Sequence, residues 1–265
     1  MSHARAAVRI ARFARIALEA VGTSRLALDQ SPVTRARRLH QACAQIVLAH
    51  GVRLSVRGTL PVGPAVLVAN HVSYLDPIAI AAVTGCAPIA KGEVSSWPVI
   101  GGAARGLGAI FVERSSAAGR VRALRQALAT LRAGVPVLNF PEGTTTDGTR
   151  LLPFHRGIFG IARLARVPII PIAVHCAREL AWHGNAPFVP HYLRTSMVDP
   201  VIELDLGKPI AATTSADELA VVAHHRIAHL LRGQLESHAT VIRLRVPAPR
   251  PDAVLPPADQ RRARR

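Results

Sequence analysis

Charge and apolarity repeat at helical spacing from the start of the chain. Over Ala4 to Val21, Arg5, Arg9, Arg12 and Arg15 fall on one side of a helix, and Ala6, Ile10, Phe13, Ala17 and Val21 on the other. A second helix is expected from Val33 to His50, after which the period changes. Short apolar, β-rich runs at Arg53–Val56, Ala65–Val68, Pro88–Lys91, Ala109–Val112, Val135–Phe140, Ile169–Val174 and Val201–Leu206 read as strands. Between them, helical stretches are expected at Ile78–Val83, Val94–Arg105, Ser116–Arg132 and Gly157–Ala165. The stretch after Ser116 is the clearest, because Val121, Leu124, Leu128 and Leu131 recur at three- and four-residue steps. A last helix from Ala216 to Glu236 precedes residues 247–265, so rich in Pro and Arg that they are expected to be disordered. The alternation predicts an α/β fold, a mixed, largely parallel sheet flanked by helices, with an N-terminal amphipathic helical extension. Residues 1–50 form that extension, 51–240 the central domain and 247–265 the tail.

Composition narrows what the extension meets. The 265 residues are 49% hydrophobic yet carry a formal charge of +17, and only 4% are aromatic. Mean hydropathy is +0.25. Oily and basic together point to an anionic membrane surface, where each Arg contributes on the order of 1 kcal/mol before screening. The same helix can instead pack on its own domain. Nucleic acid is the natural rival for a sequence pI near 11.6, since Lys and Arg release counterions from any phosphate backbone. The shortage of stacking aromatics and the absence of a zinc-finger, RRM or basic-zipper pattern argue against it.

Arg9, Arg12 and Arg15 interrupt any secretory apolar core, and no uncharged stretch makes a convincing span, so no transmembrane helix is expected. Cys43, Cys86 and Cys176, odd in number and set among apolar neighbours, read as buried reduced thiols. A peripheral protein on the cytoplasmic face of a membrane is the expectation.

Four blocks carry candidate chemistry. Asn70-His71-Val72-Ser73-Tyr74-Leu75-Asp76-Pro77 follows an apolar strand, the place where α/β folds put reactive groups. If a helix begins soon after His71, Asp76 in its first turns reaches back to one imidazole nitrogen and leaves the other free to take a proton. Alone the pair is weak, because about 0.4 such spacings arise by chance at this composition. The second block runs from Lys91-Gly92-Glu93 to Phe111-Val112-Glu113-Arg114, where a strand delivers a permanently charged fork suited to an anionic head group. The third, Phe140-Pro141-Glu142-Gly143-Thr144-Thr145, offers a carboxylate, a glycine that permits close approach, and hydroxyls. Glu142 either hydrogen-bonds an acceptor hydroxyl or holds neighbouring residues in place. The fourth, Val167-Pro168-Ile169-Ile170-Pro171-Ile172-Ala173-Val174, is an apolar strand whose two prolines imply that its start leaves the regular ladder.

In this order the four blocks closely resemble the lysophospholipid acyltransferase family, typified by 1-acylglycerol-3-phosphate acyltransferases, over roughly Gly51 to Pro209. The resemblance implies that His71 and Asp76 are catalytic, that Arg114 binds a phosphate with help from Lys91, and that Glu142, Gly143 and Thr144 bind the acceptor. It makes residues 51–240 an acyltransferase domain. One departure is His155-Arg156-Gly157 where many members place Lys before the glycine, the positive charge being kept at Arg156. The implied reaction moves a fatty acyl group from an acyl thioester to the free hydroxyl of a lysophospholipid, 1-acylglycerol-3-phosphate giving phosphatidate. Lyso-ornithine lipid is the alternative acceptor. Acyl-coenzyme A or acyl carrier protein would serve as donor substrate, with no resident cofactor. The oxyanion is expected to meet backbone N–H groups near the helix start after His71.

No Cys/His cluster has zinc spacing and no phosphate loop occurs, so no metal is expected. A lipid hydrolase would bring a G-x-S-x-G elbow, and no serine here has those flanks. A non-catalytic basic binding module would leave the His71 block without a role.

Overall fold

Alternate residues of a strand face opposite sides of a sheet, and the strands here sort their apolar side chains into two cores. The computed structural model describes residues 3–184, 186–233 and 242–244. Its strands are β1 (Arg53–Arg57), β2 (Val66–Ala69), β3 (Ala87–Lys91), β4 (Ile110–Val112), β5 (Val137–Asn139), β6 (Ile169–Cys176), β7 (Val201–Leu206) and β8 (Ile242–Leu244). They form one sheet in the order β4-β3-β5-β2-β6-β7-β1-β8. The five strands from β4 to β6 are parallel, β7 reverses against β6, β1 runs parallel to β7, and β8 reverses again. This is the mixed, largely parallel sheet expected.

Helices cover both faces. They are α1 (His3–Leu26), α2 (Pro32–Ala49), α3 (Leu75–Thr84), α4 (Ile100–Gly106), α5 (Ala117–Arg132), α6 (Gly157–Ala165), α7 (Phe188–Thr195) and α8 (Ala216–Leu231). Leu67 and Ala69 of β2 join the core under α1 to α4, whereas Val66 and Val68 join the core under α5, α6 and α8. Burial on both sides explains why β2 reads as an unbroken apolar run.

Pro168 stands just before β6 and Pro171 within it, and Pro171 fits the strand's position between a parallel and an antiparallel neighbour. Pro171 is opposite Val68 of β2, while pairing with β7 begins only at Ile172. Its carbonyl accepts from Gly207 N at 2.8 Å, so the side on which it lacks an N–H faces the end of the β7 ladder.

Three local expectations are corrected. The helix read over Val94–Arg105 is a 3₁₀ turn at Gly92–Ser96, then extended Trp97 (φ −65°, ψ 132°), with α4 starting only at Ile100. Pro98 excludes the helical region for the residue before it, and Gly101 lets the Ser95 carbonyl come within 2.3 Å of where a Cβ would stand. Helix α7 was not expected; it is eight residues long, with His191 and Thr195 buried and Val189 and Leu193 exposed. β8 was also missed. The tail, residues 247–265, and the last residues of the helix expected to reach Glu236 lie outside the described residues.

The arginine side of α1 is also corrected. Arg9 is 6% exposed. It donates to the carbonyls of Ser196 (3.1 Å) and Val198 and pairs with the Asp199 carboxylate, which Arg5 also approaches at 3.8 Å. Phe13 packs on His50 and Tyr192. The helix is therefore docked on its own domain through a residue read as outward-facing, while Arg12, Arg15 and Arg25 remain exposed with Val8, Leu18 and Leu26. Hydrogen bonds to a charged group are worth roughly 1.5–3 kcal/mol each, so Arg9→Ala is expected to lose at least about 2 kcal/mol in chemical denaturation. The exposed Arg12→Ala should stay within about 0.5 kcal/mol of the parent. No helix among the described residues is long and apolar enough to cross a membrane.

Burial pushes the thiols of Cys86 and Cys176 up, to about 11 and about 12 respectively. Neither is a ready nucleophile.

Candidate active site

Parallel strands end on one edge, and the order β4-β3-β5-β2 brings four of the sequence blocks' residues to that edge. Arg114 follows β4, Lys91 ends β3, Glu142 follows β5 and His71 follows β2. Crevices outside the carboxyl ends of such strands are where α/β sheets place ligands.

The chain leaves the sheet after β2 through a side-chain amide. Asn70, 5% exposed, donates Nδ2 to the Val174 carbonyl at 3.1 Å and accepts from Val174 N at 2.8 Å, continuing the pairing with β6 by one step. The backbone is thereby free to turn at His71. Helix α3 starts at once and places Asp76 in its first turn, where a carboxylate is favoured by the helix dipole.

Asp76 is fully buried, and its Oδ2 accepts from Val72 N at 2.7 Å and Ser73 N at 2.8 Å while lying 2.8 Å from His71 Nδ1. A carboxylate there requires Nδ1 to carry the proton, leaving Nε2 as the acceptor. The imidazole stacks on Phe140 with centroids 3.9 Å apart and planes 17° from parallel. Its side chain is 19% exposed, so the ring is fixed on one face and reachable at its edge. Of the backbone N–H groups after His71, those of Val72 and Ser73 are committed to Asp76.

Glu142 ties two loops together through both carboxylate oxygens. Its Oε1 accepts from His71 N at 2.8 Å and its Oε2 from Leu152 N at 2.9 Å, and the residue is 5% exposed. Each oxygen accepts from a backbone N–H, so the side chain holds the backbone at His71 and closes the loop that follows. Burial raises its pKa above the ordinary carboxylate value, against the lowering effect of those two N–H groups. In Glu142→Gln an amide NH₂ would confront one of the two N–H groups. A cost of about 1–3 kcal/mol is expected, with faster hydrogen exchange at the Leu152 amide and reduced turnover.

Gly143 takes φ +76°, a left-handed turn, and a Cβ there would come within 3.1 Å of the His155 ring. Arg114 donates to its carbonyl, which joins the second and third blocks. Burial lowers the Arg114 pKa, with Glu93 opposing. Lys91 pairs with Glu93. Thr144 is exposed, its hydroxyl 3.5 Å from the Thr145 carbonyl. All seven expected residues thus gather at one edge. Sequence reasoning missed Asn70 and Phe140, which hold the strand end and the ring; their place directly beside His71 and Glu142 in the blocks was the available signal. Among the described residues no group of three His, Cys, Asp or Glu side chains could hold a metal ion.

Comparison with known proteins agrees with this geometry. The family model described as Acyltransferase matches residues 52–175. A lyso-ornithine lipid O-acyltransferase from Brucella abortus is 33% identical over 210 residues, covering 70% of this chain and 78% of the relative. A 1-acyl-sn-glycerol-3-phosphate acyltransferase from Neisseria meningitidis is 34% identical over 145 residues, 54% of this chain and 57% of the relative. The crystal structure of the 1-acyl-sn-glycerophosphate (LPA) acyltransferase PlsC from Thermotoga maritima shares the fold, with a TM-score of 0.62 at 23% identity over 81% of this chain and 86% of that one. Sequence blocks, sheet order and relatives converge on one placement: the chain belongs to the lysophospholipid acyltransferase family.

Proposed function

We propose that His71 is the general base of acyl transfer to a lysolipid and Asp76 the carboxylate that orients it, a reading carried by the 2.8 Å contact from Nδ1 to buried Asp76 Oδ2. The acceptor hydroxyl gives its proton to Nε2 as its oxygen attacks the thioester carbonyl carbon. Asp76 stabilises the imidazolium so formed. Collapse of the tetrahedral intermediate breaks the carbon–sulfur bond, and the proton returns to the departing thiolate. The products are an ester and a free thiol.

Arg114 and Lys91, brought together at the ends of β4 and β3, favour an anionic head group, and 1-acylglycerol-3-phosphate giving phosphatidate is the first reading. Lyso-ornithine lipid is the second. It is favoured by the longer matches to lyso-ornithine lipid O-acyltransferases, up to 81% of this chain, and by Glu93 beside the two cations, since ornithine carries an ammonium as well as a carboxylate. The donor is acyl-coenzyme A or acyl carrier protein. The exposed arginines and apolar residues of α1 support work at an anionic membrane surface, as a peripheral protein on the cytoplasmic face. Purified protein incubated with either donor and a panel of lysolipids tests these readings together: transfer to lysophosphatidate is expected, its loss with transfer to lyso-ornithine lipid retained would install the second reading, and no transfer to any lysolipid would overturn both.

A further inference from the structure

Both tryptophans and both tyrosines of the chain stand in one cluster. Trp97, from the turn before α4, has its ring centroid 4.6 Å from Phe188 at the start of α7. Trp182, from the segment after β6, lies 6.2 Å from Trp97 and 6.1 Å from Phe188. Tyr192 stacks on Phe188, and Tyr74 packs edge-on against Trp182 and Phe188 from the turn that carries His71. Trp182 N also donates to the Val72 carbonyl at 2.8 Å, which fastens the cluster to the catalytic turn.

The outside of this cluster is apolar. Helix α7 buries His191 and Thr195 and turns Val189, 61% exposed, and Leu193, 45% exposed, outward. Beside it the chain doubles back at Trp97-Pro98-Val99: Ile100 N donates to the Pro98 carbonyl at 2.6 Å, and Val99 at φ 61°, ψ −53° takes the strained γ-turn conformation. A β-branched residue is an outlier there. Val99 is exposed, so the strained turn presents an apolar side chain to the outside. The polar atoms of the cluster are satisfied from within, Trp182 Nε1 donating to the Ala186 carbonyl at 2.8 Å and the hydroxyls of Tyr74 and Thr195 lying 2.7 Å apart. Both groups can therefore enter an apolar medium without losing a partner. Tryptophan and tyrosine favour the level where hydrocarbon meets water. Neither residues 94–112 nor residues 181–198 contain an Asp or Glu, although the chain has 16, and both segments expose an arginine, Arg105 and Arg194. An anionic lipid surface complements that charge, whereas a second copy of the chain would bring like charges together.

We infer that α7 and the Trp97-Pro98-Val99 turn form a bilayer-docking surface of their own, beyond the exposed side of α1, that enters an anionic lipid interface and brings the His71 turn beside it. The surface adjoins α1, whose Phe13 packs on Tyr192 and whose Arg9 holds the Ser196 and Val198 carbonyls. Its use in catalysis rests on the reading that the acceptor is a lysolipid, but docking itself is measured without any acyl transfer.

The test uses the full-length protein and vesicles of phosphatidylglycerol with phosphatidylcholine, the latter with or without bromine on its acyl chains. Trp97 and Trp182 are the only tryptophans, so intrinsic fluorescence reads this surface and no other. Brominated vesicles are expected to quench that emission where unbrominated ones do not. Val189→Glu/Leu193→Glu keeps the parent's melting temperature, since both side chains are exposed, and should weaken vesicle co-sedimentation at least about tenfold and abolish the quenching. Val99→Gly, which takes the γ-turn without strain, should weaken binding about threefold. Val221→Glu/Val222→Glu, the same change on exposed residues of α8, should bind as the parent does. The inference is overturned if vesicles do not bind, if they bind without quenching by bromine, if Val189→Glu/Leu193→Glu binds as the parent does, or if the α8 variant loses binding equally. It is also overturned if light scattering shows a dimer that Val189→Glu/Leu193→Glu separates, which would give the face to a second copy. Transfer to a short-chain lysophosphatidate in vesicle-free solution reads the catalytic proposal separately: docking without transfer would leave this surface standing and remove the acyl-transfer reading.

Discussion

His71→Ala is expected to lower turnover at least about a hundredfold, because general-base catalysis contributes roughly 10²–10⁴ in rate. The fold should survive. When the imidazole is removed, Asp76 keeps the N–H groups of Val72 and Ser73, so no buried charge is stranded. The His71 backbone N–H still donates to Glu142. What goes is the stack on Phe140 and the proton acceptor at the sheet edge. Steady-state kinetics with saturating donor and acceptor, beside a thermal melt, separates the two effects. Turnover retained in a folded variant would remove His71 from the mechanism.

The second large effect is expected at Asp76, where two substitutions divide charge from structure. In Asp76→Asn the amide carbonyl can take over the N–H groups of Val72 and Ser73, and the NH₂ falls on the Oδ1 side, where the native oxygen has no hydrogen-bond partner. The shape is kept and the charge that stabilises the imidazolium is lost. A fall of about 10²–10⁴ in turnover is expected, with little change in melting temperature. Asp76→Ala strands two buried N–H groups, each at a cost of about 1–3 kcal/mol, and should therefore lose stability as well as rate. Equal turnover in Asp76→Asn and the parent would reduce this carboxylate to a loop support.

The sequence made the catalytic edge legible because each block is an apolar run followed at once by its polar residues, and parallel strands put such run-ends side by side. Unbroken apolar runs, buried on both faces, placed β2 and β6 closely, and the period near 3.6 placed α5 and α6 almost to the residue. Features set by distant partners were not legible. Arg9 looks like one more outward arginine until Ser196, Val198 and Asp199 are brought to it from 187 or more residues away. The contacts of Glu142 with His71 N and Leu152 N, 71 and 10 residues away, leave no mark in its own block. The N–H groups of Val72 and Ser73 look free for an oxyanion until Asp76, four and three residues on, takes both. Helix α7 is only eight residues long, and of its apolar residues Val189 and Leu193 lie exposed while His191 and Thr195 are buried.

The burial of Arg9 has a geometric consequence for α1. A helix held only by an apolar stripe can roll or slide at small cost, whereas a guanidinium bound to three separate acceptors fixes rotation, height and tilt at once. At 1.5 Å per residue, its 24 residues make a rod about 36 Å long, clamped near one end. Any flat surface that its outer side meets therefore sees the His71 edge at one set angle and one set depth. Cutting the clamp would leave that bearing to the apolar contacts of Ile16, Ala17 and Ala20 and to Phe13 on His50 and Tyr192.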